Sequence, residues 1–200
     1  MSNPRLWLLF LRARRTGPAL AWTLALTALT WWLLRASREP ELIRFTLLAA
    51  PLGPAVVLAA VLRSPFDESE RTVPLTLPVL RLGQLGGLLA LAALALFLAN
   101  SAVALPGTGG MLVRNGAGYV GLAYLSGVLF GSPGAWSAPL AYVALAALVG
   151  AAAEEGPPRW AWASFPVADR PATTLALFLL TLGLTVAAWR GSRDEPHELA

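Results

Sequence analysis

Cysteine and lysine are both missing from the 200 residues, and histidine occurs once, as His197 near the C-terminus. Without cysteine there is no disulfide staple, no thiolate metal site and no cysteine nucleophile. Without lysine no Gly-x-x-x-x-Gly-Lys-Ser/Thr loop can cradle a nucleotide's phosphates, so any ATP that serves this protein must be hydrolysed by another chain. Acidic residues are missing from the middle of every long apolar run. An ion-coupled pump keeps such a carboxylate, or a histidine, buried to carry its proton, so intrinsic proton coupling is not expected. These gaps leave no catalytic residue, no cofactor-binding residue and no metal ligand to nominate, and the expectation is a protein that is not an enzyme.

What the chain has instead is apolar length. Hydrophobic residues make up 56% of it and charged residues 13%, more apolar material than a soluble core of this size needs. Runs of roughly 18 or more apolar residues read as bilayer spans, because lipid offers the backbone no water and a helix satisfies its own hydrogen bonds. The pattern predicts an all-α polytopic membrane protein with about six transmembrane helices and an N-terminal interfacial amphipathic helix. Residues 1–17 form that amphipathic segment, with Arg5, Arg12, Arg14 and Arg15 among Leu6, Trp7, Leu8, Leu9, Phe10 and Leu11; residues 18–189 form the membrane domain; residues 190–200 form a polar tail.

The spans are expected at about Pro18 to Leu34, Leu42 to Leu62, Val79 to Leu105, Leu112 to Phe130, Trp136 to Ala153, and a last one ending near Trp189. The second contains Pro51-Leu52-Gly53-Pro54 and should be bent or broken, since each proline removes a backbone donor. Gly83 and Gly87 stand four apart in the third, a small-residue face that admits a second helix, and Gly127 and Gly131 repeat the spacing in the fourth. Gln84, Asn100 and Asn115 are the polar residues inside spans, expected either to line a path or to hydrogen-bond between helices. Arg44, Arg81 and Arg114 lie close enough to span ends to snorkel, and the eight tryptophans mostly mark the interfaces.

Two short patterns carry a sharper claim than their surroundings support. Gly116-Ala117-Gly118-Tyr119-Val120-Gly121 has the glycine spacing of a dinucleotide loop, but it lies inside an apolar helix, where close helix packing explains it better. Glu154-Glu155-Gly156-Pro157-Pro158-Arg159 matches the EExxxR signature of the CAAX-type intramembrane proteases. Those enzymes also need helical histidines, and Gly-Pro-Pro breaks the helix that would present both glutamates on one face.

Arginines set the orientation. Placing the N-terminus inside puts nine arginines on the inner side (5, 12, 14, 15, 63, 71, 81, 190 and 193) and six on the outer (35, 38, 44, 114, 159 and 170). The excess favours both termini in the cytoplasm of a bacterial cell membrane.

The amphipathic start, the six spans, the charged first cytoplasmic loop, and stretches such as Arg81-Leu82-Gly83-Gln84-Leu85-Gly86-Gly87 and Arg114-Asn115-Gly116-Ala117-Gly118 resemble ABC-2-type transporter permeases, in particular multi-pass proteins of actinobacterial type. The resemblance implies a permease subunit of an exporter, a homo- or hetero-oligomer in the lipid bilayer, driven by a separate ABC ATPase subunit. The ATPase would touch the loop between the second and third spans, with Ser64, Asp67, Glu68, Glu70 and Arg71 as the contact residues. The alternative expectation is an accessory or scaffold membrane protein that binds a partner without transport. Nucleic acid is not an expected partner, since the arginines sit beside apolar segments, where cations meet lipid phosphates.

Overall fold

The computed structural model describes residues 16–61, 76–100, 107–152 and 156–190. Among them the chain is all-helical: α1 (Thr16–Ala36), α2 (Pro40–Ala49), α3 (Leu52–Ala60), α4 (Thr76–Ala99), α5 (Thr108–Phe130), α6 (Ser137–Ala152) and α7 (Arg170–Arg190), with short 3-10 turns at Ser132–Gly134 and Trp162–Ser164. The N-terminal amphipathic segment, the 64–71 loop, Glu154, Glu155 and the tail beyond residue 190 lie outside the described residues.

Local chemistry sets the boundaries. Pro18 and Pro40 stand in the first turns of α1 and α2, where their missing N–H is no loss. Ser37 ends α1 by donating its hydroxyl to the Leu33 carbonyl at 2.6 Å. Asp169 caps α7, its Oδ1 accepting the Ala172 N–H at 2.9 Å. Gly107 (φ 83°) and Gly131 (φ 81°) take the left-handed backbone at the two ends of α5. Gly131 thus terminates α5, at a buried position. Gly127 is buried within α5 as a packing glycine should be.

The expected break in the second span falls at Ala50-Pro51, between α2 and α3. Pro51 has no N–H to give the Leu47 carbonyl, so that oxygen needs a donor from elsewhere.

Helix directions alternate, so α1, α4 and α6 finish at one end, here the upper, where α2, α5 and α7 begin. Contacts hold these levels: Leu34, Leu47, Leu96 and Leu112 form one apolar cluster near the upper end. Five spans are long and apolar enough to cross a membrane, Gly17–Ala36, Pro40–Ala60, Leu82–Ala99, Ser132–Val149 and Arg170–Arg190. The expected fourth span, now α5, is not among the five. It is the central helix, with 15 of its 23 residues buried against the others, so it faces protein and tolerates Arg114, Asn115 and Ser126. The outer helices show the reverse, exposing Leu91, Leu94, Phe97, Leu98, Leu148, Leu177 and Phe178, as surfaces in contact with lipid do.

The closest approach is between α5 and α7. A Cβ on Gly121 would collide with the Leu179 carbonyl, and one on Gly183 with the Gly121 carbonyl, so two backbones touch where only glycine permits it. Gly116 lies against Leu96 and Pro51, and Gly118 lies beneath the Trp162 ring. The glycines of the 116–121 stretch therefore pack helices and a loop, as the sequence predicts. Gly83 and Gly87 differ: a Cβ at either would meet nothing within 4 Å, so no helix among the described residues uses the face they form.

Candidate functional site: a charged clamp on irregular backbone

Near the upper end of α5, four polar side chains hold two stretches of irregular backbone. The first is the α2–α3 break. Asn115 donates Nδ2–H to the Leu47 carbonyl at 3.2 Å, the oxygen that Pro51 leaves without a helical donor. Tyr119, one turn further along α5, donates its hydroxyl to the next carbonyl, Leu48, at 2.8 Å. An unmade bond here would cost about 1–3 kcal/mol per buried group, so these two side chains make the broken helix tenable in an apolar setting.

The second stretch is the loop 156–169. It folds into the bundle and buries Ala161, Trp162 and Ala163. Arg114 gathers its carbonyls: Nη2 donates to Phe165 at 2.7 Å and Ala163 at 3.3 Å, and Nη1 donates to Pro166 at 2.9 Å. The guanidinium is also held from within α5, since Nε and Nη2 both reach Asn115 Oδ1, at 3.2 and 3.0 Å. Asn115 Nδ2 donates to the Ala163 carbonyl as well, at 3.1 Å, so one amide links helix break, loop and arginine. Tyr142 of α6 completes the set by accepting the Ala163 N–H at 3.0 Å.

Aromatic rings fill the space beneath. Trp162 stacks on Tyr142 with centroids 5.1 Å apart and tilts against Tyr119 at 5.5 Å. Trp160 meets Tyr142 edge-on at 6.3 Å. Such pairs add about 0.5–1.5 kcal/mol each beyond their buried area. Outside, Arg159 reaches Asp169 at 3.5 Å and lies over the Phe165 ring. Above the cluster the Thr108 hydroxyl donates to Asn100 Oδ1, joining the ends of α4 and α5.

The expected site residues therefore separate. Asn115 and Asn100 make bonds between elements, as one of their two readings held. Gln84 is buried on α4, yet neither its Nε2 nor its Oε1 has a partner. Arg114 does not snorkel: it is 5% exposed, because carbonyls from the loop descend to meet it. Trp162 is likewise a core residue and no interfacial anchor, whereas Trp22, Trp31, Trp32, Trp136, Trp160 and Trp189 are exposed as anchors should be. Tyr119, Tyr142 and the loop carbonyls had not been singled out from sequence. Pro51 was the available signal, since a proline in an apolar helix orphans a carbonyl and calls for a donor nearby.

Among the described residues no three His, Asp or Glu side chains gather, and the chemistry of the site is that of donors meeting neutral oxygens. Compared with protein families, curated proteins and solved structures, the chain matches none of them. The fold and the site define its class on their own: an all-helical protein with the build of a polytopic membrane protein, whose central helix clamps a broken helix and an inward-folded loop.

Proposed function

We propose that this chain is the membrane-spanning permease subunit of an exporter, moved by a separate ABC ATPase and resident in a bacterial cytoplasmic membrane with both termini in the cytoplasm. The observation that carries the reading is the pair of irregular segments held side by side by Arg114 and Asn115. Irregular backbone at membrane depth is costly and persists where it is buried in protein or lines a path, and discontinuous helices are a recurring element of transport sites. The lower end gathers the starts of α1, α4 and α6 and the ends of α3, α5 and α7, and the acidic residues Asp67, Glu68 and Glu70 follow α3 in sequence. That is the end an ATPase would dock on.

The test is purification of the tagged protein in mild detergent with identification of its companions. An ATPase bearing a phosphate-binding loop is expected, and Asp67→Ala, Glu68→Ala and Glu70→Ala together should release it. Recovery of a constant set of other membrane proteins without an ATPase would replace this reading with the scaffold one. A specific observation favours that second reading: carbonyls and an amide of the chain itself occupy Arg114, so the site as it stands is knitted shut.

A further inference from the structure

Arg114 brings a full charge into the interior, and pinning a loop does not require one. The same fold holds the Leu47 carbonyl, the Leu48 carbonyl and the Ala163 N–H with Asn115, Tyr119 and Tyr142, all neutral. Taking a guanidinium out of water costs several kcal/mol, and carbonyl dipoles offset that less well than a negative charge does. The acid nearest in the loop, Asp169, is committed elsewhere: one oxygen caps α7 and the other faces Arg159. The N-termini of α2, α5 and α7 all point to this end and add partial positive charge.

The geometry of the donors is informative too. Nη1 and Nη2 point at two successive carbonyl oxygens, Pro166 at 2.9 Å and Phe165 at 2.7 Å. A guanidinium presents these two N–H groups to the paired oxygens of a carboxylate or phosphate in the same forked manner. The loop that supplies the two oxygens leaves Gly156 in a left-handed conformation (φ 94°), with open space around it, and is closed at its base by the pair of exposed Arg159 and half-buried Asp169.

We propose that Arg114 is an oxyanion-binding site, for a carboxylate or phosphate group, and that the Phe165 and Pro166 carbonyls hold it as stand-ins until the anion displaces them. The loop 156–169 is then the cover of the site, swinging on Gly156. The inference goes beyond the transport reading, and holds whether or not an ATPase drives this chain.

Hydrogen–deuterium exchange of the full-length protein in phosphatidylcholine nanodiscs tests it, with phosphate and acetate titrated against chloride at constant ionic strength. Exchange in 156–169 should rise and saturate with either oxyanion, and not with chloride. A rise in phosphatidylglycerol nanodiscs without added oxyanion would assign the ligand to a lipid headgroup instead of a free anion. Arg114→Lys, a point charge in place of the fork, should move the midpoint to about tenfold higher anion concentration. Arg38→Gln, on the exposed surface of the same end, should leave it in place. Exchange that stays flat in the wild-type protein under all these conditions, or changes only outside 156–169, overturns the proposal without any variant. So does an unchanged midpoint in Arg114→Lys.

Discussion

The upper and lower halves of the bundle treat their large buried polar side chains in opposite ways. From mid-height upward Arg114, Asn115 and Tyr119 all have partners, and each bond ends on backbone or on another member of the group. In the lower half Thr23 Oγ1, both polar atoms of Gln84 and Tyr124 Oη are buried and unpaired. These three residues lie six to eight positions from the lower ends of α1, α4 and α5. Tyr119 and Tyr124 make the contrast on a single helix, both entirely buried, one bonded to Leu48 and the other to nothing. Irregular backbone offers orphaned carbonyls, and side chains find them. Regular helices consume their own carbonyls, so a tyrosine or glutamine among them has nothing to bond. Among the described residues the large buried polar side chains are satisfied where the secondary structure fails, whereas short hydroxyls such as Thr27 and Ser126 bond the carbonyl one turn back in their own helix.

Substitutions can break that contrast or sharpen it. The largest effect is expected where the halves share their framework: Gly121→Leu or Gly183→Leu forces a side chain into the opposing backbone, and no folded protein should be recovered from detergent extracts by size-exclusion chromatography. Asn115→Leu comes next, stripping a donor from the Leu47 and Ala163 carbonyls and an acceptor from Arg114. It should cost about 3–5 kcal/mol, read as a fall in thermal melting temperature, because a buried charge loses a partner. Tyr119→Phe should cost about 1–3 kcal/mol by orphaning the Leu48 carbonyl, while Tyr124→Phe, which loses only an unpaired hydroxyl, should be neutral or stabilising. Equal losses in the two tyrosine variants would end the distinction between the halves. The smallest effect is at Gly83→Ala and Gly87→Ala, where added methyl groups meet open space and helix propensity gains at most about 1 kcal/mol each. A marked loss of stability there would instead reveal a second chain on that face.

Much of the fold was legible because lipid imposes its demand segment by segment. The apolar runs mark both ends of α1 and α6, the start of α4 and the end of α7 to within a few residues, the expected third span runs past the described end of α4 at Ala99 to Leu105, and Pro51 marks the broken helix. The expected fourth span carries a different signal: its lower apolar content, with Arg114, Asn115 and five glycines between residues 109 and 121, distinguishes a helix surrounded by protein from one facing lipid. The site was legible in its members and not in its arrangement. Asn100 and Asn115 stood out as polar residues in apolar runs, yet Arg114 passed for a snorkelling end residue. Its partners are carbonyls some fifty positions away, and a carbonyl has no letter in the sequence. Trp162 was misplaced for the same reason: a tryptophan in a proline-rich loop reads as an anchor until the loop is seen to turn inward beneath Arg114 and over Gly118.

The glycine contact between α5 and α7 has a mechanical consequence. Two backbones in van der Waals contact cannot slip past each other by a residue, because the next positions carry Cβ atoms and interiors at crystal-like density do not yield smoothly. The pair therefore forms a stiff mast running the height of the molecule. Any alternation between two shapes must be carried by what hangs from that mast, the hinged second span on one side and the inward loop on the other.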